Sequence, residues 1–160
     1  MKESTQKSLD VLSKGINQEL AAYVFYKRAA EKIDDDDFKA MLLDLAGDEK
    51  DHYWVLEGEY DNLLRSEKWV TYNDIMRKEG LPEIPEQMAD HHQKRLDALD
   101  TVDDKKGVLD LALELEQEAY ELYHGQIDNF DDPIAKEMLT FLSKFELGHV
   151  KIIEKRISEL

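Results

Sequence analysis

One sequence unit occurs twice in this chain of 160 residues. Residues 16–63 align with residues 113–160 at an offset of 97 positions without a gap, and 14 of the 48 pairs are identical. Helical sequences of similar composition match at a few positions by chance, but here a glutamate and a later Glu-x-x-His recur in register. Internal repetition of this kind indicates that the chain is built from two copies of one structural unit.

Each unit has the hydrophobic periodicity of two amphipathic helices. Apolar residues recur at alternating steps of three and four, which places them on one face of each helix. Glutamates and histidines interrupt this face at positions where apolar residues are expected. The pattern predicts an all-α fold: a four-helix bundle of two helical hairpins, forming a single domain over residues 1–160. The hairpins are expected at about 5–63 and about 102–160.

Aspartates mark the breaks inside both hairpins, at Asp34 to Asp37 and at Asp131-Asp132-Pro133. Aspartate is a favourable N-cap, and negative charge is stabilising at a helix N-terminus. Pro133 suits the first helical turn, where its missing N–H is not needed. Thr101 with Asp104 resembles a capping box, which predicts that the third helix of the bundle opens at Thr101.

The stretch from about 64 to 100 connects the two hairpins. Gly80, Pro82 and Pro85 interrupt any continuous helix there. Residues 85–99 are compatible with a short helix of their own. We interpret this stretch as a crossover that carries the chain from the end of one hairpin to the start of the next. Connections of this length occur in bundles with one long crossover.

Six polar interruptions of the helical faces have the types and spacing of metal ligands. In both units, 30 residues separate the first glutamate from the second, so the two lie at equal depth in an antiparallel hairpin. The histidine follows the second glutamate by three positions, which puts both on one side of the helix. Two such hairpins would bring all six together in the pattern of dinuclear carboxylate bundles. The six are Glu19, Glu49, His52, Glu116, Glu146 and His149.

Four carboxylates in a core require compensating positive charge. An unpaired buried carboxylate costs several kcal/mol, and it avoids that cost by taking up a proton. Two divalent cations would instead neutralise all four. Carboxylate and imidazole ligands suit iron, manganese or zinc. The sequence therefore predicts a pair of divalent metal ions in the core.

The net charge of −16 and the absence of cysteine narrow the classes of function. An acidic surface repels phosphate backbones and anionic headgroups, so we expect neither nucleic acid nor membrane partners. Disulfides, thiolate metal sites and cysteine nucleophiles are excluded. The N-terminal residues lack an apolar targeting segment, and no run of about 18 apolar residues occurs. The cytoplasm is therefore the expected location.

In each unit, two tyrosines follow the first glutamate, one of them by about one helical turn and the other by about two. We expect them to pack in the core with their hydroxyls bonded to ligand carboxylates, Tyr26 and Tyr123 in particular. The other two are Tyr23 and Tyr120.

Several further aromatic residues and histidines carry no motif. His91 and His92 lie in the polar crossover and are predicted to be at the surface, and His124 is predicted to point away from the core. Trp54 and Trp69 are interpreted as packing residues.

The repeated segments resemble the ferritin-like superfamily and, within it, the rubrerythrin group. They are Glu-Leu-Ala-Ala-Tyr-Val-Phe-Tyr at 19–26 with Glu-Lys-Asp-His at 49–52, and Glu-Gln-Glu-Ala-Tyr-Glu-Leu-Tyr at 116–123 with Glu-Leu-Gly-His at 146–149. The resemblance implies a ferritin-like bundle with two iron ions. It implies that Glu49 and Glu146 bridge them, while Glu19, Glu116, His52 and His149 are terminal ligands.

The resemblance also implies an activity. Members of the rubrerythrin group reduce hydrogen peroxide, and some reduce O2, at this centre, and they are often dimers. Typical members carry a rubredoxin domain, which needs four thiolates, so this cysteine-free chain is expected to use a separate electron-donor protein such as a rubredoxin-type protein. Typical members also have an additional glutamate three positions after the third-helix ligand, where this chain has Ala119, so a more symmetric site is expected.

Other functions fit the same ligands. Iron binding, ferroxidase activity or iron storage is one class, and a metal-binding bundle without catalysis is another. Hydroxylation of an organic substrate, as in other ferritin-like enzymes, is a third.

Overall fold

The computed structural model describes residues 2–76 and 90–160. Within these ranges the chain is helical and contains no strand, which confirms the predicted all-α, ferritin-like bundle. Four of the described helices are long, and two shorter described helices and a 3-10 turn lie between them. The bounds are α1 Glu3–Lys32, α2 Asp36–Ser66, α3 Tyr72–Met76, α4 Asp90–Thr101, α5 Lys105–Gln126, the 3-10 turn Ile127–Asn129 and α6 Pro133–Ser158.

The four long helices pair as two hairpins. Helix α1 packs along α2, α5 packs along α6, and α1 lies against α5. Fully buried side chains from all four helices fill the interior, among them Leu12, Leu42, Leu109 and Leu142. Each comes from the apolar face that the periodicity predicts, because burying that face is the main stabilising contribution to helices of this kind.

Aspartate caps define the starts of α2 and α6 as predicted. The carboxylate of Asp35 accepts a hydrogen bond from the Phe38 N–H at 3.0 Å. Asp132 accepts one from the Ile134 N–H at 2.8 Å, and Pro133 occupies the first turn of α6. Each cap satisfies a backbone donor that has no partner inside its helix.

The predicted start of α5 at Thr101 is wrong. Thr101 is the last residue of α4, and its hydroxyl donates to the Ala98 carbonyl at 2.8 Å. Helix α5 starts at Lys105, with Asp104 as the N-cap that accepts from the Gly107 N–H at 2.8 Å. The capping-box pattern failed because Asp104 is itself the better cap, so Thr101 remained available to finish the preceding helix.

Helix α4, residues 90–101, starts inside the predicted crossover and ends just after it, while residues 85–89 of the expected short helix lie outside the described residues. It contacts both α1 and α5. Its packed face carries Leu96, Leu99 and also His92, which is 3% exposed. The prediction of a surface position for His92 is therefore wrong, because this position shares a helix face with the two leucines.

The remaining aromatic and histidine predictions are resolved where the structure describes the side chain. The side chain of His91 lies outside the described residues, and His124 is exposed as expected. Trp69 is buried and donates to the Ser8 hydroxyl at 3.3 Å, and Trp54 packs against the core while partly exposed. Among the described helices, none has the length and apolar character that crossing a membrane would require.

Candidate metal centre

All six predicted ligand residues lie in the interior between the long helices. Each of the four glutamates is 0% exposed, and the two histidines are 1% and 2% exposed. One glutamate comes from α1 and one from α5, whereas α2 and α6 each supply a Glu-x-x-His pair. The equal spacing in the two repeats places the six at a common depth, because the hairpins have the same geometry.

The six residues form two overlapping groups, each of which could hold a metal ion. One group is Glu19, Glu49, His52 and Glu146, and the other is Glu49, Glu116, Glu146 and His149. In each group the four ligand atoms lie within 4.8 Å of one another. Glu49 and Glu146 belong to both groups, so two metal positions here would share two carboxylates.

The two imidazoles face the carboxylates through the same ring atom. His52 Nδ1 lies 3.0 Å from Glu146 Oε1 and 3.6 Å from Glu19 Oε1. His149 Nδ1 lies 2.7 Å from Glu49 Oε1 and 3.2 Å from Glu116 Oε1. The rings are 6.4 Å apart and nearly parallel. Both histidines therefore present Nδ1 as the ligand atom.

Two tyrosines join opposite hairpins at the site. The Tyr26 hydroxyl donates to Glu116 Oε1, and the Tyr123 hydroxyl donates to Glu19 Oε1, each at 2.6 Å. Burial and the neighbouring glutamates raise the pKa of both tyrosines well above 10.0, so both remain protonated donors. The predicted hydroxyl–carboxylate contact is confirmed for this pair.

The same prediction is wrong for the other two tyrosines. Tyr23 is partly buried with its ring beside Lys27, and Tyr120 stacks on His124 at 5.2 Å. Within residues 2–76 and 90–160, neither hydroxyl makes a hydrogen bond to a ligand carboxylate. Both side chains are only partly buried, whereas Tyr26 and Tyr123 are completely buried.

Burial and repulsion divide the four carboxylates into two kinds. Burial, followed by the charges of neighbouring glutamates, raises the pKa of Glu49 and Glu146 well above the usual value. Burial acts in the same direction on Glu19, but its interactions with the neighbouring Glu49 and His52 outweigh it and lower the pKa to about 2. Interactions with the neighbouring Glu146 and His149 likewise outweigh burial and lower the pKa of Glu116. In the metal-free site, the two shared carboxylates are therefore the glutamates that take up protons most readily.

Charge compensation without metal also involves one histidine. Burial lowers the pKa of His149, but the neighbouring carboxylates of Asp48, Glu116 and Glu146 outweigh it and raise the pKa to about 12. This imidazole is therefore protonated in the metal-free protein. Metal ions bind the deprotonated ligands, so binding must displace protons from the site.

Several buried oxygens of the cluster have no hydrogen-bond donor, which is the observation that decides whether metal fits. Buried polar atoms are nearly always paired, so unpaired carboxylate oxygens that converge on one place are unusual. The 2.7 Å contact between His149 Nδ1 and Glu49 is close but lacks hydrogen-bond geometry. Divalent cations would satisfy all of these oxygens at once, so the residues fit a metal pair. The unpaired atoms are Glu19 Oε2, Glu49 Oε1 and Oε2, Glu116 Oε2 and Glu146 Oε2.

A family model described as rubrerythrin matches residues 10–157, which include all six residues of the cluster. The chain belongs to the rubrerythrin family. Neither a curated protein nor a solved structure gives a significant match. Rubrerythrin membership implies metal binding, typically of iron, and the buried glutamate and histidine cluster is compatible with a di-iron site.

The neighbourhood of Ala119 agrees with the symmetric site expected for this member of the rubrerythrin family. Ala119 is buried and contributes a methyl group where typical members have a glutamate. The adjacent Glu118 points elsewhere: it pairs with Arg95 and accepts from Gln18 at 3.4 Å. Glu118 therefore does not replace the missing carboxylate.

Sequence reasoning missed Asp48, which contacts the site from outside the cluster. Its Oδ2 lies 3.1 Å from His149 Nε2, the ring atom that faces away from the other ligands. The signal was available in the sequence, because Asp48 immediately precedes Glu49. It was overlooked because helical periodicity assigns that position to the flank of α2 rather than to its buried face.

Proposed function

We propose that this chain is a di-iron carboxylate oxidoreductase that reduces hydrogen peroxide or O2 with electrons from a separate donor protein. The observation that supports this most is the pair of four-residue groups that share Glu49 and Glu146. In the proposal these two carboxylates would help to hold both ions. Glu19 with His52 would complete one metal position, and Glu116 with His149 would complete the other.

The chemistry of the metals limits which ions would support the reaction. Iron and manganese change oxidation state, whereas zinc accepts the same ligands but has no redox chemistry. With two ferrous ions bound, the site would supply two electrons to hydrogen peroxide. The peroxide would also take up two protons from solvent and become two water molecules. The donor protein would then return the two electrons.

The protein's own contribution is to orient the ligands and exclude water. The hydroxyls of Tyr26 and Tyr123 hold Glu116 and Glu19 in place, and as protonated donors they stabilise these carboxylates without ligating metal themselves. Complete burial of the four glutamates keeps bulk water away from the reacting centre. A dry site strengthens every charge interaction inside it.

The test is peroxide consumption by protein loaded anaerobically with iron(II). We expect stoichiometric peroxide to oxidise the bound iron, which can be followed by optical absorbance. We also expect a chemically reduced rubredoxin-type protein to sustain peroxide consumption. The control is the variant Glu118→Gln, which removes an exposed carboxylate outside the cluster and should leave the rate unchanged.

Two results would contradict the proposed activity. If iron binds but neither peroxide nor O2 oxidises it, the chain is a metal-binding bundle without catalysis. If iron is oxidised and then accumulates in large particles measured by light scattering, iron storage is the better description. A result of either kind leaves the metal site itself in place.

A further inference from the structure

The pseudo-twofold symmetry of the site breaks one residue before each shared glutamate. Asp48 precedes Glu49 on α2, and the equivalent position before Glu146 on α6 is Phe145, at the same offset of 97. Each of these side chains lies against the histidine of the opposite hairpin. The two histidines, which have the same role toward the cluster, therefore have different surroundings behind them.

Asp48 supports His149 from the side opposite the cluster. Its Oδ2 is 3.1 Å from His149 Nε2, while Nδ1 of the same ring faces Glu49, Glu116 and Glu146. The side chain of Asp48 is 44% exposed, whereas that of His149 is 3% exposed. The carboxylate thus remains partly solvated while it fixes a buried ring.

His52 has an aromatic ring in the corresponding place. The Phe145 ring centroid lies 4.4 Å from that of His52, in an edge-on arrangement at 82°. Among residues 2–76 and 90–160, no carboxylate pairs with His52 Nε2. Phe145 also contacts His149 edge-on at 5.0 Å, so packing by this ring is common to both histidines and the carboxylate is not.

A carboxylate bonded to the second nitrogen of a metal-bound histidine has known consequences. It fixes the tautomer and the ring orientation, and it makes the ligating nitrogen more basic. Loss of such a partner typically costs roughly 10–100-fold in metal affinity. An apolar neighbour supplies none of these effects.

We propose that Asp48 is a positioning residue that makes the two metal positions unequal. The position formed with His149 fills first and holds its ion more tightly, and the position formed with His52 is weaker and exchanges its ion more readily. The inference rests on the six ligands of the proposed function but not on the reaction.

The test is a titration of metal-free protein with cobalt(II), whose optical spectrum reports ligand geometry without peroxide or O2 chemistry. We expect two resolved binding steps. In Asp48→Asn the tighter step should weaken by roughly 10–100-fold and the other should stay unchanged, so that the steps merge. The tighter step should persist in His52→Ala and disappear in His149→Ala.

The matched control is Asp51→Asn, which removes the same charge one turn further along α2. It should leave both steps within about twofold of the original protein, because only a direct contact carries the effect described for a second-nitrogen partner. The reciprocal variant Phe145→Asp should tighten the weaker step. If Phe145→Asp fails to fold, Asp48→Asn decides alone, since Asp48 is partly exposed.

Three results would overturn the inference. In the first, two cobalt ions bind to the original protein with one affinity. In the second, Asp48→Asn weakens both binding steps and does so no more than Asp51→Asn. In the third, no cobalt binds. Cobalt binding does not depend on peroxide reduction, so failure of the proposed activity would leave these expectations in force.

Discussion

Tyr123 and Glu19 show how single hydrogen bonds hold the ligands before metal binds. The hydroxyl donates at 2.6 Å to a carboxylate that is completely buried. The replacement Tyr123→Phe leaves one more carboxylate oxygen without a donor. We expect the metal-free protein to lose roughly 1–3 kcal/mol of unfolding free energy, measured by urea denaturation.

The control for this change is Tyr120→Phe on the same helix. Tyr120 is partly exposed, and in the described part of the chain its hydroxyl is not bonded to a ligand carboxylate. Its replacement should change the unfolding free energy by at most about 0.5 kcal/mol. Equal losses in the two variants would mean that the hydroxyl–carboxylate bond contributes nothing specific.

The raised pKa values of Glu49 and Glu146 determine whether metal affinity rises or falls with pH. Burial and neighbouring glutamates raise the pKa of both groups in the metal-free protein, so these carboxylates hold protons to a higher pH than an ordinary glutamate does. Metal must displace those protons, hence affinity should rise with pH. We expect the dissociation constant for cobalt(II) to fall by more than tenfold between about pH 6 and about pH 8. A constant value across this range would contradict the assignment of protons to the shared carboxylates.

How far single residues could be predicted depended on repetition. The six ligands were found because each occurs twice in register, which separates them from ordinary surface glutamates. Asp48 was missed because its counterpart is Phe145, so the repeat itself conceals it. A feature that makes two halves different cannot be found by looking for what they share.

Helix α3 is held to α2 by close packing at one glycine. A Cβ added at Gly58 would lie 2.8 Å from Ile75 Cγ2, and Ile75 is completely buried. Since Ile75 is β-branched, it has little freedom to move away. We expect Gly58→Ala to destabilise the protein by roughly 1–3 kcal/mol in denaturant unfolding.

Gly47 on the same helix provides the matched comparison. A Cβ there meets nothing within 4 Å. Alanine favours a helix over glycine by about 0.8–1.0 kcal/mol, so Gly47→Ala should stabilise the protein slightly. If both alanine variants were stabilising, α3 would not be docked as described.

Periodicity predicted the long helices well and the connecting elements poorly. The apolar faces of α1, α2, α5 and α6 extend over many helical turns, so one misassigned position does not change the predicted helix. Helix α4 has only 12 residues, so the helix face that His92 shares with Leu96 and Leu99 is too short to stand out in the sequence. The start of α5 was misplaced because two potential capping residues, Thr101 and Asp104, lie three positions apart.

For the whole molecule, the metal site connects the two hairpins through charge. Metal removal leaves buried carboxylates that share protons and repel one another. A ligand present at 100 times its dissociation constant adds about 2.7 kcal/mol for one site. We therefore expect saturating cobalt(II) or iron(II) to raise the thermal midpoint by roughly 5–10 °C in calorimetry, and excess chelator to reverse the rise. An unchanged midpoint would mean that metal does not bind the folded bundle.

Assembly and partners are also properties of the whole molecule, and they stay predictions from the family resemblance. A homodimer would be detected by light scattering during size-exclusion chromatography. The separate donor protein would be identified by its ability to re-reduce oxidised iron in the bundle. Neither property follows from the six ligands, because they lie in the interior and form no part of a surface.

The most direct measurement is the number of metal ions per chain, determined by native mass spectrometry after loading with iron(II) under anaerobic conditions. We expect two ions per chain in the original protein and in Glu118→Gln. The double variant Glu49→Gln with Glu146→Gln removes both shared carboxylates and should hold none, while circular dichroism shows that it remains helical. One ion in the original protein, or two retained by the folded double variant, would contradict a dinuclear site built on these residues.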